Sequence, residues 1–232
     1  MFTAGRSLRS LRVASAVTFA GVAVASIDHH ARPARAAAPP SADTVAQEIK
    51  PPSGTPLKLA GFGMRRKNLY ITEVDVYVAS CYMNDGVLKN MKGQEITSGS
   101  EKFPDTLLES QGGGVDAPVV AISSKFVRDV SKSKVVESFN EAFKGCNPSA
   151  VASLKSTLGD VLGDSGMAKG EEFQFYWYGR TNKGLVIVKD GKYKETEASE
   201  DMVALQRRLL NVYLGPNTVS PELTESVAKK LA

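Results

Sequence analysis

The segment Gly61-Phe62-Gly63-Met64-Arg65-Arg66-Lys67 sets two glycines one residue apart ahead of three successive cations. Glycines at that spacing let a backbone approach a ligand closely, and cations beside them suit an anion. A dinucleotide fingerprint needs a third glycine and a helix directly after the loop. Here the third glycine is missing, and a Val- and Tyr-rich strand, Asn68 to Met83, follows. On residue types alone the segment reads as a hairpin turn carrying a solvated basic patch. Other chemistries are excluded more simply. The only histidines, His29 and His30, lie in the first 40 residues, so the rest of the chain has no His triad, His base or His metal ligand. Cys81 and Cys146 are far apart without C-x-x-C spacing. They read as small buried hydrophobes, with no disulfide framework, metal site or redox motif.

The elements that position these groups come in blocks. Residues 57–83 and 171–194 look extended. Phe173, Phe175 and Trp177 alternate with Gln174, Tyr176 and Tyr178, a period of two. Asn182-Lys183-Gly184 and Asp190-Gly191 supply hairpin turns. Between the blocks, Val135, Val136, Phe139, Ala142, Phe143 and Cys146 share one helical face, and Leu154, Leu158, Val161 and Leu162 another. Sheet and helix blocks without strict alternation argue for an α+β domain with an antiparallel sheet.

The chain has 232 residues and a formal charge of +4. Residues 1–40 hold five Arg, no Lys and one acid, and the remainder carries 24 basic and 24 acidic residues. The basic balance belongs to the first 40 residues, and nothing argues for nucleic-acid binding by the body. That Arg-, Ser- and Ala-rich, acid-poor stretch has the composition of an organellar transit peptide. Within it Val13 to Ile27 is apolar, short of the ~20 residues of a comfortable membrane span. Retained, it would give membrane association as an anchor. A secretory signal competes, with cleavage at Ala36-Ala37-Ala38. The organisation read here is a transit peptide or N-terminal anchor over 1–40, a Pro/Ser/Ala-rich linker over 41–56, and one domain over 57–232. The expected location is an organelle, the mitochondrion before the plastid, and secretion after both.

The C-terminal stretch adds a distinctive order. Met202, Leu205, Leu209 and Tyr213 pattern a helix that stops at Leu214-Gly215-Pro216. Val219-Ser220-Pro221-Glu222 restarts a helix, with Ser as N-cap and Pro at the first helical position. This order, together with Gly61-x-Gly63-x-Arg65 and a strand carrying Val76-Tyr77, resembles the chalcone isomerase superfamily over roughly residues 57–232. The resemblance implies the chalcone isomerase fold, an antiparallel sheet packed against a layer of helices as an open-faced β-sandwich.

That superfamily holds flavonoid isomerases and non-catalytic, fatty-acid-binding relatives. In the binding branch an Arg of the glycine segment and a Tyr of the next strand hold the ligand carboxylate. The resemblance places these roles on Arg65, with Arg66 one register step away as the alternative, and on Tyr77. A guanidinium offers two parallel donors to a carboxylate, and a phenol adds a third. The enzymes also use a Thr early in this strand, here Thr72. Thr72 and Tyr77 differ in parity, so only a bulge lets both face one pocket. At three other enzyme positions this chain has Ser131, Ser138 and Gly191, where the enzymes carry Tyr, Asn and Thr. Asn140 reaches the Ser138 position only with a helix rotation of ~200°. Methionine 167 to Phe173 and the FYWYGRTNKGLVIVKDGK segment look like the non-enzymatic members. The resemblance therefore favours a non-catalytic binder of a fatty acid or similar amphipathic carboxylate, without a cofactor. An intramolecular lyase acting through Arg65 and Thr72 comes second. Third is a haem-associated mitochondrial member, for which axial ligation without a body histidine would fall to Met, Tyr or Cys.

Overall fold

A computed structural model describes residues 44–69, 72–93, 100–110, 117–179 and 183–232. The leader, residues 13–27 within it, and Asn182 lie outside these. Seven strands form one antiparallel sheet in chain order: β1 Glu48–Ile49, β2 Leu57–Leu69, β3 Thr72–Met83, β4 Val120–Phe126, β5 Glu172–Trp177, β6 Val186–Lys189 and β7 Lys192–Glu195. Helices α1 Asp85–Met91 and α2 Lys102–Glu109 follow β3, α3 Lys132–Ala142 and α4 Pro148–Leu162 follow β4, and α5 Glu200–Leu214 and α6 Pro221–Leu231 close the described chain. No helix among the described residues is long and apolar enough to cross a membrane.

The helices cover one face of the sheet over a large core, into which Phe173, Phe175 and Trp177 project. Tyr176 and Tyr178 point to the other face, where they join a smaller cluster with Ile49, Leu57, Tyr82 and Val186. The expected period of two holds through β5. The sheet begins earlier than Leu57, because β1 lies in the stretch read as a linker and pairs with Lys58 and Leu57. Strand β4 and helices α1 and α2 are additions that the sequence reading lacked. Five of the seven β4 side chains in succession, Val120 to Ser124, are buried, so the strand shows no alternation to read. The Asp190-Gly191 turn joins β6 to β7 with φ of 51° and 74° at its two residues, the left-handed pair of a tight hairpin.

The glycine segment is not a turn. Gly61 and Gly63 lie inside β2, and the chain reverses only after Leu69. Their use is proximity. A Cβ on Gly61 would meet the Val227 backbone N at 2.6 Å, and one on Gly63 the Leu223 N at 2.2 Å. Helix α6 therefore lies directly on β2. Beyond Leu59, whose N–H donates to Gln47 O just before β1, the outer edge of β2 is served by α6 and its approach. Phe62 N donates to Ser226 Oγ at 3.2 Å, Met64 N to Glu222 Oε2 at 3.0 Å, and Ser220 Oγ to Met64 O at 3.1 Å. Ser220 begins α6 as expected, but its hydroxyl goes to β2 and makes no cap bond. Gly215 ends α5 as expected, at φ −91°, where a Cβ would lie 2.5 Å from Asn211 Oδ1. Space is its reason, and a left-handed cap is not.

Candidate functional site

Between the sheet and α3, α5 and the α5–α6 connection lies a cavity of about 870 Å³. Its walls come from β2, β3, β4, β5 and the segment entering α3. Val74, Val76, Phe126, Val135, Phe139 and Phe173 supply apolar surface. A bulge shapes the β3 wall: Arg65 pairs with Tyr77, and the next residue, Arg66, pairs with Asp75, so Val76 is an extra residue. Val76 and Tyr77 consequently both face the cavity, which strict alternation forbids. The bulge that Thr72 and Tyr77 required is present, yet Thr72 does not reach the cavity. It is exposed at the start of β3, and its hydroxyl donates to Glu73 O at 3.3 Å.

Arg65 and Tyr77 lie in adjacent strands, directly paired, and both line the cavity. The Arg65 Nη1 donates to the carbonyl of Arg66 and, at 3.5 Å, to that of Val219. Both bonds use Nη1, and the same head group lies in polar contact with Tyr77. Arg66 points away. It pairs with Asp75 at 3.1 Å and with Glu222 at 2.5 Å, on the side of α6. The bond to Glu222 raises the Arg66 pKa, and the Met64 N–H followed by Arg66 lowers that of Glu222. The one-residue alternative for the anchor is thus a structural clamp.

Two further side chains complete the polar end. Tyr213 of α5 is 2% exposed and Ser124 of β4 1% exposed, and both line the cavity. Burial raises the Tyr77 phenol, opposed by the Arg65 charge and by polar contact with Tyr213 and Arg65. Burial raises the Tyr213 phenol well above its ordinary value, with Tyr77 adding to the effect. Both phenols are therefore neutral donors at physiological pH. Ser124 lies near enough to Tyr213 to favour its charged form, but its geometry falls short of a hydrogen bond. Among the described residues its Oγ is the buried side-chain polar atom left without a partner. A buried hydroxyl left unpaired costs about 1–3 kcal/mol, so a ligand oxygen reaching Ser124 would supply a favourable partner.

Sequence reasoning had Tyr213 only as an apolar helix position and did not single out Ser124. The signal for Ser124 was a pair of serines, Ser123-Ser124, closing an otherwise apolar run. Ser131, Ser138 and Asn140 all line the cavity at exposed positions. Gly191 lies in the β6–β7 turn, away from the cavity walls. Cys81 is fully buried and Cys146 half-buried, and both are free.

No known family profile matches the sequence, and no curated protein does. Among solved structures, the crystal structure of the Arabidopsis thaliana fatty-acid binding protein AtFAP1 is similar over 79% of this chain and 97% of its own, at 20% identity and a TM-score of 0.57. At that identity the likeness speaks to the fold. The meander of seven antiparallel strands with helices on one face, aligned over nearly all of that protein, gives this chain the α+β chalcone isomerase-like fold.

Proposed function

We propose that the protein is a non-catalytic binder of a fatty acid or a similar amphipathic carboxylate. The observation that carries this reading is the unpartnered Ser124 hydroxyl, set beside Arg65, Tyr77 and Tyr213 at the buried end of an apolar cavity. One cation with three neutral hydroxyls is a donor set for an anion. The raised phenols hold their protons, so they offer no general base at neutral pH. The carboxylate is held by Arg65 and Tyr77, and Tyr213 and Ser124 reach its remaining lone pairs. The hydrocarbon then runs along Val76, Phe126, Val74 and Val135. AtFAP1, similar in fold, is a fatty-acid binding protein. Thr72, the residue an intramolecular lyase would share with Arg65, is outside the cavity.

The test is mass spectrometry of small molecules retained by the purified protein, followed by calorimetric titration with C12 to C18 fatty acids. Retained carboxylates and saturable binding support the reading. A protein that binds none of them is not a fatty-acid binder.

A further inference from the structure

The cavity has a second charged region that a monocarboxylate leaves unused. Lys67, Arg128 and Lys134 line it at exposed positions, each from a different place in the fold: the end of β2, the segment after β4, and the first turns of α3. Among the described residues none of the three takes part in an ion pair. Two carboxylates accompany them, Asp129 and Glu137, and Asp129 already accepts the Lys169 backbone N–H at 2.7 Å. The body of the chain is charge-balanced, so cations outnumbering acids on this wall is a local property.

The strand register gives the distance between the two regions. Ser124 stands opposite Ala79, and Lys67 opposite Val74. Those rows are five residues apart on β3 with one bulge between them, roughly 15 Å at ~3.3 Å per residue. Apolar side chains, Val76, Phe126 and Val74, fill the interval. A simple fatty acid anchored at Arg65 would bring its methyl end among three hydrated cations.

We propose that the preferred ligand is a hydrocarbon with an anionic group at each end, one carboxylate on Arg65, Tyr77, Tyr213 and Ser124, and a second anion at Lys67, Arg128 and Lys134. This rests on the fatty-acid reading and narrows its ligand class to ω-anionic acyl chains, such as long-chain dicarboxylates or ω-phosphorylated acids.

The experiment titrates the full chain with hexadecanoate, 16-hydroxyhexadecanoate, hexadecanedioate and 16-phosphonooxyhexadecanoate. Hexadecanedioate or the phosphorylated acid is expected to bind about tenfold more tightly than hexadecanoate, and whichever is tighter names the second anion. In a Lys67→Ser/Arg128→Ser/Lys134→Ser variant, or in 0.5 M salt, that advantage should vanish while hexadecanoate affinity stays within about twofold. A single Lys134→Glu variant, less disruptive to folding, should reduce the advantage. Equal affinities in the wild type overturn the proposal but leave the fatty-acid reading standing. So does a gain matched by the neutral hydroxy acid, or one that survives the triple variant. Binding of none of the four overturns both.

Discussion

Arg65 and Arg66 are consecutive, and their side chains serve opposite sides of β2. Arg65 turns into the cavity and is held by the Val219 carbonyl, while Arg66 joins Asp75 and Glu222. Arg65→Ala is expected to lower fatty-acid affinity by roughly tenfold to a hundredfold, the scale of a charge-assisted pair. Tyr77→Phe should cost less, because the ring stays and one neutral donor goes. Arg66→Ala should leave affinity nearly intact and lower the melting temperature. Titrations at matched circular dichroism check all three, and a selective loss of affinity in Arg66→Ala would reverse the assignment. Arg65 and Tyr77 were singled out only through the family resemblance that Gly61, Gly63 and the Val76-Tyr77 pair carry, and the structure brings both to the cavity. Ser124 was not, because the strand that holds it is buried on both faces and carries no period. Tyr213 was legible as a core position only, since its phenol reaches a cavity that long-range packing creates.

At the scale of elements, the pairing of β2 with α6 governs the site. The sequence placed α6 through its Ser220-Pro221 restart, because capping and proline act locally, but read the middle of β2 as a turn. It could not show that Gly61 and Gly63 are contact points, since their partners, Val227 and Leu223, are some 160 residues away. Gly63→Ala would drive a Cβ against the Leu223 backbone N, where nothing flexible can yield. A destabilisation of about 1–3 kcal/mol is expected, read by urea unfolding. Affinity should fall as well, because Val219 and the Arg65 head group move with α6. Glu222 adds a pH dependence. Its pKa is held below the ordinary 4.5 by the Met64 N–H and Arg66. A depressed carboxylate contributes stability above its unfolded value that is lost as pH falls through the folded one. The acid limb of a pH–stability curve should flatten in Glu222→Gln, and an unchanged limb would remove this residue from the account.

At the scale of the whole molecule, four tyrosines lie in protected positions. Burial raises Tyr77, Tyr176 and Tyr213, and Tyr82 is pushed up to about 12. Unfolded phenols ionise near 10, so folding is favoured fully below that value and loses stability as pH rises above it. Denaturant midpoints measured at pH 8, 10 and 11 should fall, most steeply between pH 10 and 11. The leader is a separate matter. Its basic, acid-poor bias motivates the proposal that it directs import. A fluorescent fusion of residues 1–45 is expected to reach mitochondria or plastids. Uniform cytosolic signal would contradict this, and signal in the medium would favour secretion.

Helix α6 also guards the molecule against its own copies. Removing it leaves the Phe62 and Met64 amides and the Met64 carbonyl without the side chains that serve them. The same cut uncovers two glycines, so nothing on that flank of β2 keeps a foreign chain at a distance. An open strand edge of this kind templates intermolecular pairing. A chain ending at Thr218 is therefore expected to assemble into thioflavin-positive, β-rich aggregates at concentrations where the full chain stays soluble. Size-exclusion chromatography showing that shortened chain as a stable monomer would assign the protection to some other element.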